Sequence, residues 1–582
     1  MDRQTFHSLS PATLALAAAL VPGFPGGADS LRYIFAPDPE AHVLRVTLEW
    51  QTAGHGPSRL AISPGWASVQ RPAQFIRDVS VEGGELASVA DGAAGSWEIA
   101  HDEGALIRFA YTVDAGYASF DWERRYLPIV SFKFFHGIGE TFLITPEQRR
   151  GRESGFDVEI EWDLPEGWNQ AVTSLGRGRS ISARAYPGTL RQSAYLAGSL
   201  EVAGADAEGK PFTLPSPPGR GAGGEGEQQV DPPFLTAAIH DLFAFDAPQL
   251  ARVASRILEA QRKFMDDDAL PPFTILAVPV GDPLTAGSAR FGGTALHHSV
   301  ALFLPPHSTM DDRIIMLIAH EVFHHYNGRL ITNVEAEELS YWFTEGFTDY
   351  YAMRVLLERF PDMHPWLADW VNERIGKYLS NPAINATNDE IRARFWTGDE
   401  AHRDIPYARG LMLGIRWHAI AREHGIENGI DALMRELLRR ARERDYHLGN
   451  QSLREIGAEV LGEWFGEEFD AYVVRAETIP LEPDFMQPWF EGDMAGSGGF
   501  ELGFDWERSK STRTVRGLKA GSAAAEAGLE EGDLLLGWVL TIGDANQEVV
   551  LTVQRGGRVM DISYMPRAVT RGNGIPRFRV KE

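Results

Sequence analysis

At 582 residues the chain is longer than one compact core supports, and ordinary domain sizes divide it into about three to four units. Hydrophobic residues at 44% and charged residues at 23% fit a globular protein and exclude wholesale disorder. The 81 acidic residues against 55 basic ones leave a net charge of -26, which repels nucleic acid and anionic membranes, and the lack of cysteine excludes disulfides, thiolate catalysis and Cys-ligated zinc.

Residues 1–28 carry Arg3, an apolar run over 11–21 and then Gly26, Gly27 and Ala28, while Asp2 weakens the positive start. This reads either as a secretory signal or as an ordinary flexible segment, which leaves export to a periplasmic space and a cytoplasmic location equally open. No later stretch approaches the roughly 20 apolar residues of a membrane-spanning helix. Residues 29–213 form a β-rich unit, because runs at 43–50, 105–113, 156–162 and 190–197 alternate apolar and polar residues between Gly and Pro clusters. Residues 214–233 are rich in Pro and Gly with few apolar side chains, and read as a flexible insertion or, alternatively, a proline-rich ligand.

Helical periodicity begins in residues 234–492, with segments at 248–265, 310–327, 340–359, 366–379, 407–424 and 452–465, and two strands at 273–280 and 298–304. Residues 493–582 return to short strands, at 534–540, 549–554 and 559–564, and form a small separate domain. The fold class is multidomain α+β.

The chemistry concentrates at His320-Glu321-Val322-Phe323-His324. Ser308 or Thr309 can cap this helix, Asp311 and Asp312 occupy its first turn and Gly328 stops it. Two histidines four apart are displaced by about 40° around a helix, so both rings reach one ion, and Glu321 beside them can take a proton from a metal-activated water. A catalytic zinc takes three protein ligands, and Glu345 on the next helix is the best third candidate. Asp349, one turn on, either bonds a ligand imidazole or serves as a surface or capping carboxylate. His297 and His298 should point to opposite faces of a strand, as solvated or hydrogen-bonded side chains, and His325 should point away from the metal.

The segment from His320 to Asn327, together with Trp342-Phe343-Thr344-Glu345-Gly346-Phe347-Thr348-Asp349-Tyr350, resembles the glycyl aminopeptidase family of gluzincin metallopeptidases. The resemblance implies a β-rich N-terminal domain, a thermolysin-like, mainly helical catalytic domain and often a C-terminal PDZ domain. It also implies one Zn2+ held by His320, His324 and Glu345, a peptide or oligopeptide substrate, and an aminopeptidase for small N-terminal residues. Tyr407-Ala408-Arg409-Gly410 is similar to a family element whose Tyr donates to the developing oxyanion, which gives that role to Tyr407.

One position departs from the family. In Gly292-Gly293-Thr294-Ala295 the site of the amine-binding carboxylate is Ala295, which favours another exopeptidase mode or an oligopeptidase.

Residues 500–504 and 521–529 resemble the carboxylate-binding loop, first strand and short first helix of PDZ domains, but residues 541–548 are too few for a groove-forming second helix. A reduced PDZ-like domain, docked on the catalytic domain, is expected. The alternative to an enzyme is a noncatalytic peptide-interaction protein that uses this module on an inherited metallopeptidase fold.

Overall fold

The computed structural model describes residues 29–88, 95–114, 116, 122–147, 155–214, 233–269, 271–280, 290–443, 446, 448–493, 500–542, 547–566 and 576–581. The candidate signal segment and nearly all of the Pro/Gly-rich insertion lie outside the described residues.

In the N-terminal unit a six-stranded sheet centred on Ser30–Asp38, Val43–Gln51 and Phe156–Trp162 faces a five-stranded one that contains Phe134–Ile138 and Ala194–Gly198. Strand Phe156–Trp162 buries every second residue, as its alternation predicts. Phe35 of the first sheet meets Tyr195 of the second at 5.7 Å between ring centres. Residues 190–197 differ from the expected strand, since Pro187–Arg191 turns into a short helix before the chain extends. Both faces of the five-stranded sheet are buried: Phe134, Ile138, Ala194 and Leu196 pack on Leu276, Val278, Ala301 and Phe303 of the next unit. A strand covered on two sides loses its alternation.

The second unit is built on a six-stranded sheet. Its strands are β1 (Leu200–Ala205), β2 (Pro211–Thr213), β3 (Leu235–His240), β4 (Phe273–Pro279), β5 (Gly292–Leu296) and β6 (Ser299–Leu304), in the spatial order β2-β1-β3-β4-β6-β5. β1 and β2 fall within the 29–213 stretch assigned by sequence to the N-terminal domain. They belong here because β1 pairs along its whole length with β3, from Leu200↔His240 to Ala205↔Leu235. Helix α1 (Ala247–Met265), capped by the Asp246 side chain, packs on this sheet.

Helices α2 (Asp312–Phe323), α3 (Tyr341–Thr344), α4 (Gly346–Arg359), α5 (His364–Ser380) and α6 (Glu400–Glu423) share one large core with α1. No helix among the described residues is long and apolar enough to cross a membrane.

Near the C-terminus, strand Phe490–Asp493 pairs antiparallel with Arg577–Val580, and Asn372 of α5 bonds both the N–H and the carbonyl of Phe578. This last strand was expected in the small C-terminal domain, yet Phe578 lies in the catalytic core. Between the paired strands sits a unit with its own core around Leu502, Val515, Leu551 and Ile562, and a three-stranded sheet of Leu534–Val539, Val549–Arg555 and Arg558–Tyr564. The sheet follows the predicted strands. Directly after Gly503-Phe504 the chain forms helix Trp506–Thr512, capped by Asp505. A PDZ groove needs an edge strand to receive a peptide, and here that segment is helical.

Candidate active site

Helix α2 carries the motif in its last turn. Asp311, rather than Ser308 or Thr309, is the cap: its carboxylate accepts from the N–H groups of Arg313 and Ile314, while the Ser308 hydroxyl donates to the carbonyl of Pro305. The helix also stops earlier than Gly328, because residues 324–327 tighten into a turn in which the N–H groups of Tyr326 and Asn327 both reach the Phe323 carbonyl. His324 keeps helical dihedrals at the C-cap, so the predicted 40° relation to His320 survives. Asn327 fixes the turn from its far side by donating its side-chain amide to the Phe343 carbonyl at 2.8 Å.

The predicted helix over 340–359 is two helices, α3 and α4, with Glu345 at the break between them. The break coincides with a backbone contact. A Cβ on Gly346 would lie 2.4 Å from the Cα of Gly410 on α6, and one on Gly410 would lie 1.8 Å from the carbonyl oxygen of Trp342. Only two glycines allow this approach.

These elements bring three donor atoms together. The Nε2 atoms of His320 and His324 lie 3.1 Å apart, and an oxygen of Glu345 lies 3.3 and 3.5 Å from them. Each ring has its other nitrogen engaged: Nδ1 of His320 with Asp349 at 2.8 Å, and Nδ1 of His324 with the Asn327 carbonyl at 2.9 Å. Both acceptors select the Nδ1–H tautomer, so two Nε2 lone pairs and a carboxylate converge on one point. Such an arrangement is self-repelling unless it holds a cation. His320, His324 and Glu345 are the group of this kind among the described residues, and three N/O donors with a fourth position open suit a catalytic zinc.

The electrostatics agree. Burial opposes charge on either ring, yet Asp349 and Glu345 raise the pKa of His320 well above the usual value, and Glu345 raises that of His324. The Glu345 carboxyl, despite its own desolvation, is driven down by the two imidazoles.

Glu321 points the other way, against β5. A Cβ on Gly293 would lie 2.5 Å from its Cγ, and the Gly293 N–H donates to its carboxylate. Burial raises its pKa, which strengthens it as a base. Tyr407 lines the same cleft as His320, Glu321 and Asp349, and burial first, then the neighbouring Glu345 and Asp349, hold its phenol well above the ordinary pKa as a neutral donor.

Ala295 is buried in the core cluster, and its carbonyl accepts from Arg329. His297 and His298 do not alternate across a strand as predicted. They form the two-residue turn between β5 and β6, with His298 at φ 46° and ring centres 4.1 Å apart. His325 points away from the donor cluster, as expected, toward Phe273 and His298. Sequence reasoning missed Gly293 and Gly410 as close-approach positions, and Trp366 and Trp370 of α5 as walls of the cleft. Only the glycine pairing within known motifs offered a signal for the first two.

Comparison with known proteins places this geometry. Residues 256–446 match the Peptidase family M1 domain, and residues 33–185 match the Peptidase M61 N-terminal domain. The fold is similar to an aminopeptidase N family protein from Idiomarina loihiensis, with TM-score 0.61 at 14% identity over 95% of this chain and 98% of that one. An M1 zinc metallopeptidase from Deinococcus radiodurans gives TM-score 0.45 at 13% identity over 78% of this chain and 94% of that one. Native yeast LTA4 hydrolase gives 0.44 at 12% over 78% and 68%. No curated protein matches in sequence. With the M1 match spanning the segment that brings His320, His324 and Glu345 together, and an M61-type unit preceding it, the chain carries a Peptidase family M1 domain and is a zinc metallopeptidase.

Proposed function

We propose that the enzyme is an aminopeptidase that releases residues from the free N-termini of peptides. The observation that carries this reading is the convergence of His320, His324 and Glu345 beside a buried Glu321, within the segment matched by the M1 domain. His320, His324 and Glu345 would hold the zinc, which when bound would supply Lewis acidity toward the scissile carbonyl and the attacking water. Glu321 accepts a proton from the attacking water and returns it to the leaving amine, held in place by the Gly293 N–H. Tyr407, kept neutral, donates to the oxyanion as charge develops.

Asp349 fixes the tautomer of His320. Asp349→Asn should lower zinc affinity about 10- to 100-fold in chelator competition. Unchanged affinity would remove it from this role.

The preference for an amine end draws support from charge. Glu321, Asp349, Asp369 and Glu373 line the cleft against Arg313 and Arg374, so its acidic groups outnumber its basic ones and a protonated amine is favoured there over a carboxylate even with Ala295 on β5. No match favours the noncatalytic interaction protein. Digestion of a peptide library with and without chelator, read by mass spectrometry, tests the reading. Stepwise, chelator-sensitive trimming of free peptides and resistance of N-acetylated ones is expected. Equal cleavage of acetylated peptides would overturn the amine-end assignment, and no cleavage at all would overturn hydrolysis.

A further inference from the structure

The resemblance to glycyl aminopeptidases implies small residues at the cleavage site, but the cleft has a different shape. A cavity of about 590 Å³ opens directly from His320, Glu321 and Tyr407. Its apolar wall is made by Trp366 and Trp370 of α5, Met316 and Leu317 of α2, and Phe291 just before β5, while Asp369, Glu373, Arg313 and Arg374 line the rest. The two tryptophans are one helical turn apart, with ring centres 6.4 Å from each other and planes tilted by 22°. Arg374, which also lines the cavity, stacks on Trp370 at 5.1 Å. Arg313 is tied to Asp311 at 2.9 Å.

A glycine or alanine bound at the reacting atoms would leave this apolar surface in contact with water. A large apolar side chain would cover it. Chemistry and size thus agree.

We propose that α5 supplies the specificity pocket, and that Trp366 and Trp370 select a large apolar or aromatic side chain on a residue flanking the scissile bond. The proposal rests on the hydrolytic reading above and names its substrate class. The selecting residues come from three separate elements, so the pocket exists only when α2, α5 and the start of β5 are docked. Hydrophobic pockets discriminate by about 10- to 200-fold per missing methylene, which sets the scale of preference.

Two measurements on the zinc-loaded full chain test it. In the first, kcat/KM is compared for Xaa-Ala and Ala-Xaa peptides, with Xaa being Gly, Ala, Leu or Phe. A preference of at least about 10-fold for Leu or Phe over Gly is expected at one of the two positions. Trp370→Ala should reduce that ratio about 10-fold, mainly through KM, while Trp370→Phe retains most of it. In the second, glycine and phenylalanine hydroxamates are titrated against Glu321→Gln, with tighter binding of the phenylalanine compound expected.

Turnover with no size preference, or a preference for Gly, overturns the pocket and leaves hydrolysis standing. Size-selective hydroxamate binding without turnover supports the pocket and overturns hydrolysis. Neither turnover nor binding overturns both. Should Trp370→Ala fail to fold, Trp366→Ala and Leu317→Ala address the same wall from different positions.

Discussion

Glu321→Gln should lower kcat by about 100- to 10,000-fold while zinc content stays at the wild-type level. Glutamine matches glutamate in volume and can still accept the Gly293 N–H, so neither the packing against β5 nor the donor cluster of His320, His324 and Glu345 is disturbed. What disappears is the ability to take up a proton. Because Glu321 lies on the flank of α2 and is not among the converging donors, metal content and turnover should separate in this variant. A single-turnover assay on a chromogenic peptide, with zinc measured by mass spectrometry on the same sample, gives both numbers. Activity above about a tenth of wild type would mean that another group acts as the base. By contrast, substitution of His324 or Glu345 should remove zinc and activity together.

The second large effect is loss of stability in mild acid. His136 is fully buried beside Phe303, and His418 is buried with its Nδ1 facing Arg354 at 3.4 Å. Desolvation lowers both pKa values to about 3, and for His418 the charge of Arg354 adds to it. Each ring therefore stays neutral in the folded protein while the unfolded chain takes up a proton below about 6.5. The stabilisation is complete above about pH 6.5 and is lost as pH falls from there toward 3, because protons bind preferentially to the unfolded state. At pH 5 each histidine should cost about 2 kcal/mol relative to pH 7, or about 4 kcal/mol for the pair. Calorimetric scans at pH 7 and 5 measure this, and His136→Phe should flatten the dependence by about one proton. An unaltered slope in that variant would refute a neutral buried ring at this position.

How much of this was legible in the sequence depended on the range of the interaction involved. His320 and His324 could be paired because four residues of helix fix their relation locally, and the strand over 156–162 emerged to the residue because one of its faces is buried and the other is not. Glu345 was reachable from the three ligands a catalytic zinc needs and from its place on the next helix, but its position at a helix break was not, since that break coincides with a glycine contact 64 residues away in the chain. The two-histidine turn defeated the alternation rule through one positive φ at His298. β1 was assigned to the wrong unit because strand pairing is a long-range choice that composition does not encode. The tryptophan wall of α5 read as ordinary amphipathic spacing. Its meaning depends on Phe291 and Met316, which arrive from elsewhere in the fold.

The contact between Gly346 and Gly410 carries a consequence for how the centre tolerates change. Glu345 lies one residue before the first glycine and Tyr407 three residues before the second, so the spacing between the acidic donor and the phenol is gauged by main chain resting on main chain. Main chain has no rotamers to exchange. Substitutions in the surrounding core can shift α4 and α6 as a joined pair without altering that spacing, whereas one methyl group at either glycine would lengthen it.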